Sequence, residues 1–156
     1  MAGPLRIVGP QLIFLGVISP ILNEFCRQYP DIQPDIQLSD ELGNWVEDRV
    51  DVGFRIGPSP EEGVIRRRLF NIQLIICAAP AYLERYGAPK TLEVLVSHKC
   101  SAFGGSTTGG IVPWYVKVEG EVVAHRVVPA LSTNDEQVEL QAVLAGRVIG
   151  QLSSVA

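Results

Sequence analysis

The sequence predicts an α/β protein built from two lobes, on the strength of three observations. The chain opens with strand, helix, strand, helix and strand patterns, which is typical of βαβ units and favours parallel strands. A polar segment rich in proline, glutamate and glycine, residues 58–63, then interrupts the alternation. A second series of strand and helix patterns follows it. We therefore expect a first lobe at residues 1–68 and a second lobe at residues 69–156.

Composition favours a folded core and excludes several classes of protein. Of the 156 residues, 47% are hydrophobic and 19% are charged, which is typical of a globular domain. The net charge of −4 argues against direct nucleic-acid binding, which needs a basic surface. Arg66–Arg68 is too short for such a surface and is interpreted as a solvated edge.

No membrane span or secretory leader is predicted. The longest hydrophobic run, residues 12–22, is interrupted by Gly16, Ser19 and Pro20. Residues 1–4 have no basic segment or cleavage site, so we expect a cytoplasmic protein.

In the first lobe, Leu5–Val8 is predicted to form a strand, and an apolar helical pattern follows from Leu12 to Phe25. Pro20 lacks a backbone donor, so the helix should kink or start late there. A strand at residues 35–39, a short helix at residues 42–49 and a strand at residues 50–57 complete the lobe. Ligands of such sheets bind at the carboxyl ends of the strands.

The second lobe is predicted to contain a hairpin and a long helix among shorter elements. Gly120 supplies the positive φ of the hairpin turn, and Gly146 ends the helix. Thr133 with Glu136, or Asn134 with Gln137, forms a capping-box pattern at the helix start. The predicted strands are residues 69–78, 100–103, 113–118, 122–127, 130–132 and 148–152, and the predicted helices are residues 81–86, 91–96 and 133–145.

We find no catalytic constellation, and we predict no metal and no cofactor. His98 and Cys100 lie two residues apart, but no Asn or Asp nearby orients the histidine, so a structural role is favoured. Three cysteines at no metal-like spacing are interpreted as reduced, buried thiols. The glycine-rich stretch 104–110 lacks the lysine of a phosphate loop, so a mobile loop is favoured.

Two positions have two open interpretations. Arg55 precedes the end of a strand and either binds an acidic ligand or pairs with Asp51 or a neighbouring glutamate. Thr133 and Asn134 either only cap their helix or also contact an anion at its positive end.

Three segments in this order resemble the effector-binding domain of LysR-type transcriptional regulators. They are a helix that closes in Tyr-Pro-Asp-Ile (residues 29–32), the stretch Asp-Val-Gly-Phe-Arg-Ile-Gly (residues 51–57) and Ala-Ala-Pro-Ala-Tyr-Leu (residues 78–83). The resemblance covers nearly the whole chain. It implies a two-lobed fold like the type 2 periplasmic binding proteins, with a small-molecule effector in the cleft between the lobes.

The resemblance also implies the site and the partners. Effectors of this family are often organic or aromatic acids, and effector binding closes the lobes. A homodimer or higher oligomer is implied, with the helix around residues 20–25 of one copy against that around residues 137–144 of the other. DNA is bound only through an N-terminal domain absent from these residues. Carried over by position, the effector-binding residues are Pro10, Gln11, Leu12, Ser39, Asp40, Arg55, Gly57, Phe103, Gly104, Thr133 and Asn134.

The family's domain continues past residue 156 and returns to the first lobe, so we expect this fold to be incomplete at its C-terminal end. The fold alone leaves two other functions open: a solute-binding protein of a transport system, and an enzyme on the same scaffold.

Overall fold

The computed structural model describes residues 1–39, 45–57, 63–105 and 110–156. These residues divide into two compact units. The first unit is Met1–Asn71 together with Val155, and the second unit is Ile72–Ser154 together with Ala156.

The first unit is a parallel three-stranded sheet with a helical segment after its central strand. Strand β1 lies between β2 and β3, and it buries Ile7, which is 2% exposed. The elements are β1 (Gly3–Gly9), α1 (Gln11–Ile13), a π-helical turn (Phe14–Ile18), α2 (Ser19–Gln28), β2 (Ile32–Leu38) and β3 (Val52–Gly53). Since the strands are parallel, their carboxyl ends lie at one edge of the sheet.

At Pro20 the sequence predicts a kink or a late start of the helix, whereas the helical segment begins at Gln11 and changes from π-helix to α-helix next to Pro20. Helix α2 begins at Ser19, which places Pro20 in its first turn. There the missing N–H of proline costs little, because first-turn amides have no partner within their own helix. The preceding turn is π-helical, and the Ser19 N–H donates to the Phe14 carbonyl, five residues back. Pro20 thus sets the boundary between the two kinds of helix.

The segment before β3 differs from the prediction of a short helix and a long strand. Residues 45–49 form turns, and the rest of the predicted helix lies outside the described residues. Arg49 has a positive φ of 53°, which ends any right-handed helix. The Trp45 ring lies against Gly53, where a Cβ would be 2.5 Å from ring carbons. The predicted strand 50–57 is correspondingly reduced to Val52–Gly53.

The second unit combines parallel and antiparallel pairs. Strands β5 and β9 are parallel, β6 extends β5 antiparallel, β10 pairs antiparallel with β4, and β7 and β8 form a hairpin. The elements are β4 (Leu74–Cys77), α3 (Pro80–Tyr86), a 3₁₀ helix (Glu93–Ser97), β5 (Cys100–Gly105), β6 (Gly110–Ile111), β7 (Trp114–Val118), β8 (Glu121–His125), β9 (Pro129–Thr133), α4 (Glu136–Leu144) and β10 (Gly150–Ser153).

Most of these elements lie where the sequence predicts them. Glu119 and Gly120 both have positive φ in the β7–β8 turn, as a two-residue hairpin requires. Gly146, with φ of 73°, follows α4 as its C′ residue. The predicted strand 69–78 was too long, because only Leu74–Cys77 pairs with β10.

His98 and Cys100 make contacts that fit the structural role favoured for them, but the prediction of three buried thiols was wrong for Cys26 and Cys77, which are half-buried. The buried Tyr82 hydroxyl lies 2.9 Å from His98 Nδ1 and accepts a hydrogen bond from the Lys99 N–H at 3.0 Å. Cys100 is fully buried beside Leu95 and Ile149. Burial raises the pKa of the Cys100 thiol to about 11, so it stays protonated and unreactive.

A buried carboxyl group joins α4 to the sheet of the second unit. Glu139 is 2% exposed, and its Oε2 accepts a hydrogen bond from Ser101 Oγ at 2.6 Å. Burial raises the pKa of Glu139 to about 7, although the bond from Ser101 lowers it, and the charge of Glu136 raises it further. The carboxyl therefore exchanges its proton near neutral pH.

This carboxyl should make the second unit less stable as the pH rises. The pKa of Glu139 is higher in the folded chain than in the unfolded chain. Between pH 4.5 and about 7 the folded chain therefore keeps a proton that the unfolded chain has lost, and the free energy of unfolding decreases as the pH rises across that range. The loss should reach roughly 2–3 kcal/mol at pH 8. In Glu139→Gln, which has no proton to lose, thermal melting at pH 5 and pH 8 should show a smaller decrease.

Glu84→Gln is the matched control, because Glu84 is exposed on α3 of the same unit. It should reproduce the wild-type pH dependence. Equal decreases in the wild type and Glu139→Gln would contradict the assignment.

Candidate functional site

The carboxyl edge of the first-unit sheet holds the predicted residues of that unit. Pro10, Gln11 and Leu12 follow β1, Ser39 follows β2, and Arg55 follows β3. The Ser39 N–H donates to the Gly9 carbonyl at 2.9 Å, so the turns after β1 and β2 lie together. Asp40, also predicted, lies outside the described residues.

The turn after β1 offers backbone donors rather than side chains. Pro10 and Leu12 are buried, whereas Gln11 and Ser39 are exposed. Pro10 is the N-cap residue of the helical segment and has no side-chain oxygen to accept from the first amides. The N–H groups of Gln11 and Leu12 have no intrahelical partner, as at any helix start. This positive helix end favours an anion.

Arg55 follows Phe54, which packs against the same turn. The Phe54 N–H donates to the Val8 carbonyl at 2.9 Å, and Phe54 Cβ lies 3.2 Å from the position that a Cβ on Gly9 would occupy. The Arg55 side chain is half-buried. Arg55 thus emerges at the edge where the helix begins.

The pairing of Arg55 with Asp51, one of the two open interpretations, does not occur. Asp51 Oδ2 accepts from the Arg6 backbone N–H at 2.8 Å. The Arg6 guanidinium in turn bonds Asp35 at 3.3 Å and the Asp48 carbonyl at 2.7 Å. Among the described residues no carboxylate lies within 4.0 Å of Arg55.

Gly57 is needed for its backbone conformation and not to leave room for a neighbouring group. Its φ is +107°, and among the described residues no atom outside its chain neighbours lies within 4 Å of where a Cβ would stand. The glycine is therefore required for the turn after β3 and not for a close contact.

The carboxyl edge of the second-unit sheet holds the other predicted residues. Phe103 of β5 and Thr133 of β9 are direct partners in the parallel ladder. Gly104 follows Phe103 in β5, and Asn134 follows the end of β9. Phe103 and Thr133 are half-buried, Gly104 is buried, and Asn134 is exposed.

The predicted cap of α4 was wrong by one or two residues. Asp135 is the N-cap, with extended backbone angles, and its Oδ1 accepts from the Gln137 N–H at 2.8 Å. Thr133 Oγ1 accepts instead from the Asp135 N–H at 3.1 Å. The carboxylate of Asp135, which the sequence analysis did not single out, stands at the positive helix end. It weakens the attraction of that end for an anionic ligand.

The described ends of the glycine-rich stretch, Gly104–Gly105 and Gly110, lie in strands, so its described residues open no helix of the kind that follows a phosphate loop. Gly104 and Gly105 of β5 pair with Ile111 and Gly110 of β6. The mobile loop was expected at residues 104–110, and residues 106–109 of it lie outside the described residues. Gly104, with φ of +107°, would place a Cβ 2.4 Å from the Gly110 carbonyl oxygen.

Gly104 and Gly57 form a matched pair for a stability test, since both have φ of +107°. Alanine at either position should cost about 1–2 kcal/mol in unfolding free energy through the backbone angle. Gly104→Ala should cost about 2 kcal/mol more, because the added methyl group displaces Gly110. Urea unfolding of the two variants measures the difference, and equal losses would contradict the close contact.

Neither a metal centre nor a membrane span is found in the described part of the chain. No cluster of three or more His, Cys, Asp or Glu side chains there has the geometry to hold a metal ion. No helix there is long and apolar enough to cross a membrane.

Comparison with known proteins gives one consistent family. The family model "LysR substrate binding domain" matches residues 1–156. The probable HTH-type transcriptional regulator LtrA of Klebsiella pneumoniae is 29% identical over 150 residues, which cover 96% of this chain and 48% of LtrA. The HTH-type transcriptional activator TtdR of Escherichia coli K12 is 32% identical over 133 residues, which cover 85% of this chain and 42% of TtdR. The chain spans about half the length of these relatives.

Solved structures of regulators share the fold. The regulatory domain of CrgA, a LysR-type transcriptional regulator from Neisseria meningitidis, matches with a TM-score of 0.82 and 25% identity, over 99% of this chain and 74% of that domain. Full-length AphB, the Vibrio cholerae virulence activator, matches with a TM-score of 0.84 and 25% identity, over 99% of this chain and 52% of AphB. The predicted periplasmic-binding-protein-like α/β fold is confirmed.

Proposed function

The chain belongs to the LysR substrate-binding domain family, and we propose that it is the effector-sensing and dimerisation domain of a LysR-type transcriptional regulator. The two units would be the lobes predicted at residues 1–68 and 69–156. We assign DNA binding to a separate N-terminal domain, and we expect the regulator to be located in the cytoplasm. The relatives and solved structures named above are all regulators, so none of them supports the transport or enzyme alternative.

The proposal of an acidic effector is supported by a set of hydrogen-bond donors at the carboxyl edge of the first-unit sheet. The N–H groups of Gln11 and Leu12 follow β1, and the Arg55 guanidinium follows the neighbouring strand β3. A carboxylate accepts from both kinds of donor, and the planar guanidinium binds its two oxygens together. No described carboxylate within 4.0 Å competes for Arg55.

The second-unit residues Phe103, Gly104, Thr133 and Asn134 stay a prediction. The Thr133 hydroxyl already accepts a bond from Asp135, but its own hydrogen remains free to donate to an acceptor. We propose that the effector binds one conformation of the domain more tightly than another. Binding then shifts the population toward that conformation, to an extent set by the difference in affinity.

A thermal-shift screen of organic and aromatic acids tests the effector proposal. An acid that binds the folded chain raises its melting temperature by mass action. Arg55→Ala should abolish the shift, since loss of a charge-assisted contact costs about 2–3 kcal/mol, a factor of about 30–150 in affinity. Thr133→Ala should reduce the shift if Thr133 contacts the acid, and Thr133→Ser should restore it.

Arg66→Ala is the control for charge, because Arg66 is exposed outside the sheets. It should keep the full shift. An acid whose shift survives Arg55→Ala would contradict the assigned donor set, and the absence of any shift across the screen would count against an acidic effector.

We also propose that α2 of one copy packs against α4 of another in the dimer. Ile21 of α2 is 62% exposed, and Val138 and Leu144 of α4 are 46% and 69% exposed. Large apolar side chains on two helices are consistent with surfaces that a partner covers.

Charge on α2 should therefore weaken the dimer. Ile21→Glu should increase the dissociation constant at least tenfold in analytical ultracentrifugation, because dimerisation would bury the new carboxylate. Ile65→Glu is the control, since Ile65 is fully exposed outside both helices. A dimer equally strong in wild type and Ile21→Glu, or no dimer in the wild type, would contradict the proposal.

A further inference from the structure

A second candidate binding site lies in the second unit, at the sheet edge opposite to Phe103 and Thr133. It is a cavity of about 330 Å³ bordered by Arg85, Tyr86, Lys99 and Arg147, with small and apolar residues between them. Lys99 directly precedes β5, and Ala130, another lining residue, is near the start of β9. Phe103 and Thr133 are instead near the carboxyl ends of these two parallel strands.

The cavity concentrates positive charge on an acidic chain. Three of its lining side chains are cations, none is acidic, and the net charge of the chain is −4. The ion pairs seen among the described residues, Arg6–Asp35 and Arg27–Glu24, belong to the first unit. Within the described residues, then, the three cations have no carboxylate within 4.0 Å.

Tyr86 holds two of these cations in place. The Arg85 Cζ atom lies 5.3 Å from the centre of the Tyr86 ring, and the Lys99 Nζ atom lies 5.5 Å from it. Both distances are within the range of cation–π attraction, which opposes the mutual repulsion of the two charges. The aromatic ring therefore keeps the cations together at the cavity wall.

Backbone N–H groups already bond to carbonyl groups at the ends of the two neighbouring helices. Cations near a helix C-terminus often bind its last carbonyl groups. Here the Leu83 carbonyl of α3 accepts from the Gly87 N–H at 2.8 Å. The α4 carbonyls of Val143 and Ala142 accept from the N–H groups of Gly146 and Arg147 at 3.0 and 3.1 Å. These carbonyls are satisfied by backbone, so the guanidinium groups are not needed to cap them.

We propose that this cavity binds a small oxyanion with at least two negative charges, either a phosphate group or a polycarboxylate. Arg85 and Arg147 present planar N–H donors to its oxygens, and Lys99 adds a third charge. The cavity volume is at the lower end of the range for small-molecule sites. None of the residues that line the cavity belongs to the predicted effector-binding set.

Isothermal titration of the 156-residue chain with inorganic phosphate, and separately with citrate, tests this site at constant ionic strength. The wild type should bind at least one of the two probes with a stoichiometry near one. Arg147→Gln should weaken that binding at least tenfold, and Arg147→Lys should retain most of it. Arg126→Gln, at an exposed arginine of the same unit outside the cavity, should bind as the wild type does. Tighter binding of phosphate would indicate a phosphate group as the ligand, and tighter binding of citrate would indicate a polycarboxylate.

Three results would overturn the proposal: no binding of either probe by the wild type, equal weakening by Arg126→Gln and Arg147→Gln, or concentration-dependent self-association that Arg147→Gln alone abolishes. The last would assign the cations to an acidic surface of a second copy. Near-UV circular dichroism confirms that each variant is folded. Arg55→Ala should leave binding at this site unchanged, so its outcome is independent of the effector proposal.

Discussion

Parallel strand pairing is the constraint on which the candidate site depends. Because β1 pairs with both β2 and β3, the residues that follow the three strands gather at one edge of the first-unit sheet. The hydrogen bond from Ser39 to Gly9 and the packing of Phe54 over Gly9 tighten that edge. In the second unit the parallel pair β5 and β9 brings Phe103 beside Thr133 in the same way. Antiparallel strands would have sent these residues to opposite edges.

The distribution of charge gives the two units different chemistry. In the first unit, Arg6 makes the contacts with Asp35, Asp48 and Asp51, and Arg55 therefore has no described carboxylate partner. Gln37 and Arg6 hold the pKa of Asp35 below its usual value, so that carboxylate remains ionised. These contacts leave the first unit with a cationic group next to an uncapped helix start, which is where a carboxylate binds best.

In the second unit, acidic groups stand near the start of α4 and cations near its end. Asp135 caps the helix, Glu139 is buried beneath it, and Arg147 follows its C-terminal turn. This order matches the helix dipole, which favours anions at the start and cations at the end. Because Asp135 stands at the start of α4, that end binds an anion less well than the turn after β1 does. Arg147, after the end of the helix, lines the basic cavity at the other edge of the sheet.

The sequence proposed the candidate site only as a set of chain positions, and it did not predict the hydrogen-bond partner of each residue. Thr133, Asn134 and Asp135 are all good N-cap residues, and only the extended backbone of Asp135 selects it as the cap. Asp51 is four residues from Arg55, yet it bonds the backbone of Arg6, 45 residues away. Trp45 fits a helical pattern, but its ring requires the space over Gly53 and the chain forms turns there.

The sequence by itself determined the family, the α/β class, the first strand, the irregularity of the helix at Pro20, the hairpin turn at Gly120 and the end of α4 before Gly146. These features follow from backbone chemistry and short-range periodicity, which act within a few residues and are visible in the chain. Only the tertiary structure decided that Arg55 is free of Asp51, that Glu139 is buried with a pKa near 7, and that Arg85, Lys99 and Arg147 surround one cavity. Those outcomes depend on contacts between residues far apart in the sequence, and such contacts exist only once the strands have paired and the helices have packed on them.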